Sequence, residues 1–447
     1  MWTYHPDLLS RPVPRYTSYP TAADFGEDVG AGDYMRALDA VESGAPLSLY
    51  VHIPYCEQIC WYCGCNTGAA NRKHRLTDYL TALRAEIALV AKRLGGRGRV
   101  QHIAFGGGSP NAIAPVEFVR LLDRIMTVFD CSHPEVSIEI DPRNFTSEWA
   151  LVLASSRVSR VSMGVQTFAP HIQAAIGRIQ PLDHIETAMT SLRMRGIDAI
   201  NFDLMYGLPG QHLDDLDATL QQTIRLAPSR IALFGYAHLP DMIPRQKRID
   251  VRDLPDDRER FEQAAYGYLS LTQAGYVPVG FDHFALPGDP LAAAAREGRV
   301  NRNFQGFTHD GASTLLGFGA SAISIFPDLI VQNEKNAGPY RKLVSEGRLT
   351  PTRGVALNRD DIRRADIINA LLCRGRATLD SEFLPTARAV LTEFERRGLL
   401  FWEDQTLVLA EGSEPYARVI AAQFDGFRGS IHPHSGPQRL HSAAPAC

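Results

Sequence analysis

From about residue 48 to residue 240 the chain alternates two hydrophobic patterns. Short runs rich in β-branched and aromatic residues predict strands at 48–53 (SLYVHI), 100–105 (VQHIAF), 135–141 (EVSIEID), 160–166 (RVSMGVQ), 199–206 (AINFDLMY) and 230–239 (RIALFGYAHL). Between them, 77–94, 115–129, 183–195 and 213–226 carry apolar residues at helical spacing. Six such units in a row predict parallel strands joined by helical crossovers, an α/β architecture that either lies open or closes part-way into a barrel. In both forms function sits where strands end and loops begin, so chemistry is expected at C-terminal strand edges.

The pattern changes after Pro240. A helix is predicted at 258–274, a short strand at 277–283, a glycine- and aromatic-rich stretch at 301–326, an amphipathic helix at 359–373, and a helix, turn and hairpin at 386–409. The division is an N-terminal arm (1–46), a core (47–256), a barrel extension with substrate-site loops (257–355), a mainly helical C-terminal domain (356–425) and a tail (426–447) without periodicity, expected to be disordered.

Composition narrows the function classes. The 447 residues carry 46 Lys+Arg against 50 Asp+Glu, a net charge of −4, with 45% apolar residues. That is enough apolar material for a core, and the balance lacks the basic excess of a general nucleic-acid binder. No run of about 18 apolar residues occurs, so no membrane-spanning helix is expected. The first twenty residues show no export pattern, and the protein is expected in the cytoplasm.

Four of the seven cysteines lie within ten residues, as Cys56-x3-Cys60-x2-Cys63-x-Cys65. This is not a disulfide framework. Structural zinc prefers two separated knuckles, and no second knuckle stands at a matching distance. An iron–sulfur cluster accepts thiolates from one compact loop. Other candidates lie at predicted strand ends. Gly106-Gly107-Gly108-Ser109 follows the second strand and reads equally as a tight turn or as a close backbone approach to a ligand. Glu139 and Asp203 are carboxylates within apolar strands, which need a partner, either an internal arginine or a cofactor hydroxyl or ammonium. Arg178 is suited to a bidentate carboxylate contact, and Gln166 ends the fourth strand with both a donor and an acceptor. In the arm, PRYTSYPT (14–21) offers Arg15, which would meet an anionic substrate if the segment crosses the barrel mouth; the bland alternative is a surface loop.

The C-x3-C-x2-C spacing, with the aromatic Tyr62 before its third cysteine, resembles the radical S-adenosylmethionine superfamily. That resemblance implies a partial six-unit βα barrel, with Cys56, Cys60 and Cys63 ligating three irons of one 4Fe–4S cluster and the fourth iron left to the cofactor. The strings PRYTSYPT, SLYVHIPYC, CGCN, FGGGSP, SIEIDP, SMGVQ, FDLMYGLP, YAHLP, DHFA, NRNFQGFT and GASAIS, spread from about Arg11 to Cys373, resemble the oxygen-independent coproporphyrinogen III oxidases. The family resemblance implies radical abstraction of a β-hydrogen from a propionate, loss of carbon dioxide and departure of an electron, twice, to give protoporphyrinogen IX. It implies two S-adenosylmethionine molecules. Tyr50, Gly107, Glu139 and Ile323 would contact one, and Tyr62, Gly108, Ser109, Gln166, Arg178, Asp203 and Ala237 the other. Ser109 stands where threonine is usual and Tyr62 where phenylalanine is usual. Cys65 matches a family cysteine that is not a ligand and is assigned a site role. Coproporphyrinogen III, an electron donor to the cluster and an unidentified terminal electron acceptor are the implied partners, with a monomer expected and no nucleic acid or membrane. The alternative is the related haem chaperone, which lacks the PRYTSYPT arm and ends in an HNRxxxYW string that is missing from this chain. An RNA-modifying enzyme would need a basic module, and a zinc scaffold would be colourless where an iron–sulfur protein is brown.

Overall fold

The computed structural model describes residues 2–10, 13–71 and 73–428, so most of the predicted tail, 429–447, lies outside the described residues. Six parallel strands run side by side in chain order: β1 (Pro46–Ile53), β2 (Arg99–Gly107), β3 (Cys131–Ile140), β4 (Arg160–Gln166), β5 (Ile200–Tyr206) and β6 (Arg230–Gly235). Helices Lys73–Leu94, Pro115–Val128, Ser147–Ser155, Leu182–Arg193 and Leu213–Leu226 make the crossovers, and Asp257–Gln273 follows β6. This is the sheet-and-crossover plan that the alternating patterns predict, except that they do not mark the crossover helix Ser147–Ser155. β1 pairs with a later strand rather than with β6, so the barrel stays open.

Beyond β6 the sheet continues through an antiparallel hairpin, β7 (Val277–Val279) and β8 (His283–Ala285), with β8 on β6. Beyond β1 it continues with β9 (Thr314–Phe318), parallel to β1, and then the antiparallel β10 (Ile323–Phe326), β11 (Leu329–Asn333) and β12 (Pro351–Ala356). A two-stranded ribbon, Asn301–Asn303 against Gly306–Thr308, connects the two flanks. The predicted single strand at 277–283 is thus a hairpin. Gly280 breaks it with φ +62°, and a Cβ there would collide with the Phe307 ring. The predicted sixth strand ends four residues early, because the Gln246 side chain captures Leu239 N and Ala237 O and draws 237–239 into a loop.

The strand sequences explain the inside and outside of the barrel. In β4 and β5 Val161, Met163, Ile200 and Phe202 are fully buried in the main core, while Ser162, Gly164, Asn201 and Asp203 occupy the alternate positions and line the barrel cavity. Period-two alternation thus turns one polar edge of each strand inward.

Of the N-terminal arm, Arg15 and Thr17 reach the cavity, whereas Ala31–Ala40 is a helix whose Tyr34 and Leu38 enter the main core. The C-terminal unit comprises Arg359–Arg374, Leu384–Arg396, a three-stranded sheet (Arg376–Thr378, Leu400–Glu403, Thr406–Leu409) and Ala417–Ala421. Its core includes Leu371, Leu391, Phe394, Leu407 and Phe424, joined by Tyr16 and Tyr19 of the arm. Tyr16 Oη donates to Asp425 at 2.8 Å, and Gly426 N donates to Tyr19 Oη at 2.9 Å. The arm is therefore held between the barrel mouth and the C-terminal unit. Among the described residues no helix is long and apolar enough to cross a membrane.

One buried carboxylate ties the first crossover helix to the β9–β12 flank. Glu86 is 2% exposed and accepts from Gly319 N (2.7 Å), Asn333 Nδ2 (2.9 Å), Tyr340 Oη (2.7 Å) and Thr350 Oγ1. Glu86→Ala leaves these donors buried and unpaired, so it should destabilise the protein by on the order of 3 kcal/mol, read as a lower urea midpoint. Glu86→Gln, which retains an acceptor, should lose less.

Candidate active site

The loop that leaves β1 carries the four clustered cysteines, and Cys56, Cys60, Cys63 and Cys65 all face the barrel cavity. Its position is set by charge and by shape. Arg143, just after β3, reaches Asp141 (2.5 Å), Gln58 O (3.4 Å) and Cys60 Sγ (3.5 Å). Arg178 reaches Cys60 Sγ (3.3 Å), Asp141 (3.4 Å) and Gly164 O (2.6 Å). Trp61 lies on Gly177, which has φ +65° and where a Cβ would come within 2.7 Å of the indole; Trp61 N also donates to Ile176 O. Burial alone would push the Asp141 carboxyl up, but the Arg178 and Arg143 guanidinium groups outweigh it and hold it below the usual range.

Each thiol has its own surroundings. Cys56 Sγ and Thr67 Oγ1 are 3.2 Å apart, and burial pushes the Cys56 thiol up to about 11. The Cys63 thiol is held low, first by a hydrogen bond from the Cys65 side chain; its sulfur also accepts from Cys65 N at 3.4 Å. Arg245 donates to the Cys65 carbonyl oxygen at 3.2 Å. Arg143 and Arg178 at Cys60, and Arg245 and Arg178 near Cys63, favour thiolate charge at those two sulfurs, and three thiols carried on one loop are the donor chemistry that an iron–sulfur cluster takes.

The glycine run is required by the protein's own packing. A Cβ at Gly106 would meet Glu139 Oε1 at 2.7 Å, one at Gly107 (φ +114°) the His52 ring at 2.6 Å, and one at Gly108 the Tyr55 carbonyl oxygen at 2.6 Å. The close approach is to the protein's own groups, with Gly106 and Gly107 still in strand, and Gly107 and Gly108 line the cavity. Gly107 N donates to Glu139 Oε2 at 3.1 Å.

Glu139 and Asp203 face the same cavity. Asp203 accepts from Ser162 Oγ (3.2 Å) and Asn201 Nδ2 (2.9 Å), not from an arginine. Burial raises the Glu139 carboxyl to about 7, and the neighbouring Asp203 charge adds to the rise; burial likewise raises Asp203. Two half-buried carboxylates on one cavity suit a ligand that brings ammonium or hydroxyl donors. Arg178 Nε is buried without a hydrogen-bond partner, a second sign that the site is built for a polar ligand. Gln166 holds φ +68° at the end of β4, a strained backbone for a non-glycine residue.

Of the residues singled out in the sequence, Arg15, Cys56, Cys60, Tyr62, Cys63, Cys65, Gly107, Gly108, Ser109, Glu139, Gln166, Arg178, Asp203 and Ala237 all line this one cavity. Tyr50 and Ile323 do not. Tyr50 is buried beside it, its ring edge-on to the cavity residue Phe304 and its hydroxyl 3.0 Å from His52 Nδ1. Ile323 pairs with Gln332 in the β9–β12 flank. Asp141, Arg143 and Gln246 were missed. Asp141 was legible in the SIEIDP string with Arg143 two residues on, but its other partner, Arg178, comes from the next unit. A second polar group at the opposite, N-terminal ends of the strands was missed as well. There His102, Glu135, His309, Asp310, Arg160 and Arg230 also line the cavity, with His102 Nε2 3.5 Å from Asp310 and His309 Nε2 3.4 Å from Glu135.

Comparison with known proteins decides the family. Residues 50–223 match the radical SAM superfamily. The chain is 41% identical over 442 residues to oxygen-independent coproporphyrinogen III oxidase of Bradyrhizobium diazoefficiens, covering 97% of each chain. It is 40% identical to the Escherichia coli protein of that name, over 81% of this chain and 79% of the relative. The chain belongs to the oxygen-independent coproporphyrinogen III oxidase family. The solved structure of coproporphyrinogen III oxidase (HemN) from Escherichia coli superposes with a TM-score of 0.90 at 35% identity, covering 95% of this chain and 99% of that one. Membership brings the cofactors of the superfamily, a 4Fe–4S cluster and S-adenosylmethionine, and the donor set described above fits them.

The Glu139 environment gives a pH test. Its folded value of about 7 exceeds the ordinary 4.5, so the fold favours the protonated form. That stability is complete below pH 4.5 and is lost as pH rises through 7. Glu139→Gln should therefore raise the melting temperature of the cofactor-free protein at pH 8 and leave it nearly unchanged at pH 4.5, as read by calorimetry.

Proposed function

We propose that the chain performs the reaction for which its family is named, converting coproporphyrinogen III to protoporphyrinogen IX by oxidative decarboxylation of two propionate side chains without oxygen. The observation that carries this reading is the convergence of the cysteine loop, the glycine run, Glu139, Asp203 and Arg178 on one cavity that the N-terminal arm also reaches. In this reading Cys56, Cys60 and Cys63 hold the cluster. Bound together, the cluster and S-adenosylmethionine supply a 5′-deoxyadenosyl radical able to take a hydrogen atom from an unactivated carbon.

The chain's own residues bind, orient and exclude water. Glu139, beside Gly107, would receive donors of one S-adenosylmethionine, with Tyr50 behind that wall through His52 and Ile323 proposed to contact the same molecule. Gln166, Asp203, Ser109, Gly108, Ala237 and Tyr62 surround a second S-adenosylmethionine, and Arg178 offers it a guanidinium for its carboxylate. Cys65 acts beside the cluster by holding the Cys63 sulfur. Arg15, whose Nη2 donates to Gly235 O at 2.8 Å and whose guanidinium lies over Phe234, keeps the arm against the mouth and helps keep water from the radical. The domain limits at 46, 256, 355 and 425 divide arm, core, extension and C-terminal unit. The reaction would require a separate electron donor and a separate terminal electron acceptor as partners, and in this reading the enzyme works as a cytoplasmic monomer.

The test is anaerobic turnover of the iron- and sulfide-loaded protein with coproporphyrinogen III, S-adenosylmethionine, a low-potential reductant and cell extract as acceptor source. Protoporphyrinogen IX should form, and Cys56→Ala, Cys60→Ala or Cys63→Ala should abolish it along with the brown colour. A loaded protein that forms no product but binds haem tightly would move the reading to the haem chaperone. Arg178→Ala should lower kcat/KM by about 100-fold or more, since it removes a buried charge that also holds the cysteine loop.

A further inference from the structure

At the mouth, between the arm, the C-terminal unit and the β6–β8 edge, lies a buried charge cluster outside the cofactor-binding set. The Arg302 side chain is 3% exposed, and its guanidinium is stacked between Phe307 (4.4 Å to the ring centroid) and Phe281 (4.9 Å). Its Nε donates to the carbonyl oxygen of Tyr16 at 3.2 Å, a residue held at φ +50°. Its Nη1 is buried with no hydrogen-bond partner and lies 4.0 Å from Asp282 Oδ1. That carboxylate is instead engaged by His283 Nδ1 at 2.7 Å. Arg15 and Arg418 also act electrostatically on this cluster, with Arg418 over the Phe281 ring. Asp282 is thus the carboxylate nearest Arg302, and two further guanidinium groups add positive charge around it. A buried excess of positive charge, with a donor left unpaired on the cavity wall, calls for an anion.

We infer that Arg302, with Arg15 on the same cavity and the charge of Arg418 adding to theirs, is a binding site for a carboxylate of the tetrapyrrole substrate. This rests on the reading of function given above and deepens it. The flanking phenyl rings fix the plane of the guanidinium, so its free edge is pre-organised for a planar carboxylate. A carboxylate gripped in this way is stabilised as the anion, which opposes loss of carbon dioxide. The site therefore receives a propionate that persists into the product, and it orients the ring so that other propionates face the cysteine loop.

The test measures binding of the oxidised, redox-stable porphyrins to the cluster-loaded protein by fluorescence, alongside steady-state kinetics. Arg302→Gln should weaken coproporphyrin III binding by about 10-fold or more and raise KM for coproporphyrinogen III by a similar factor, with kcat little changed. Arg302→Lys, which keeps the charge and guards against a folding defect, should recover part of the loss. Asp282→Asn should shift affinity the opposite way, tightening binding. The tetramethyl ester should bind Arg302→Gln and the parent protein alike. Protoporphyrin IX, which keeps two propionates, should show the same loss as coproporphyrin III. Unchanged coproporphyrin III binding in Arg302→Gln, or an equal effect on the ester, would overturn the site. A loss confined to coproporphyrin III would overturn the assignment to a persisting propionate. A protein that forms no protoporphyrinogen IX yet shows Arg302-dependent binding of the free acids would refute the catalytic reading and leave this one standing.

Discussion

Asp141, Arg143 and Arg178 form the buried ionic group on which the site depends. Two guanidinium groups face one carboxylate, and the side chains are only 4–7% exposed. Their remaining donors reach outward to the cysteine loop, at Gln58 and at the sulfur of Cys60. Three chain segments, after β1, after β3 and after β4, are thereby locked together above the open end of the barrel. Burying two like charges is tolerable only because the carboxylate sits between them, so the loop's position and the network's charge balance are one constraint.

The open parallel sheet turns that local constraint into a working cavity. Parallel strands deliver the loops after β1 to β6 to the same end, and period-two alternation points Ser162, Gly164, Asn201 and Asp203 inward. Gly106, Gly107 and Gly108 let β2 approach Glu139, His52 and the Tyr55 backbone more closely than any side chain would allow. The arm bridges the cavity and the C-terminal unit. Its tyrosines belong to the C-terminal core, while Arg15 and the Tyr16 carbonyl face the barrel and Arg302.

Much of this was legible along the chain because it is local. Strand and crossover patterns report which face of each element is apolar, and that suffices for the order of six units. The cysteine spacing reports four thiols on one loop. Elements failed to read correctly where a tertiary contact decided them. The end of β6 is set by Gln246, and the 277–283 segment is a hairpin because Gly280 turns under Phe307. Asp203 was placed late in its strand, yet it lies in the middle of β5 and reaches the cavity only because the strand interior is polar there.

The sequence by itself determined the α/β plan, the cysteine loop and a set of residues that line the cavity, because each is a matter of short-range spacing and of motifs that a chain carries in one place. Tertiary structure alone decided which charges meet. Asp141 needs Arg178 from the next unit, 37 residues away, and the Arg302 cluster gathers the arm, the β7–β8 hairpin, the ribbon and a C-terminal helix. Coulombic and hydrogen-bond partners act over a few ångströms of space. No periodicity along the chain encodes a meeting between residues 286 positions apart, such as Tyr16 and Arg302.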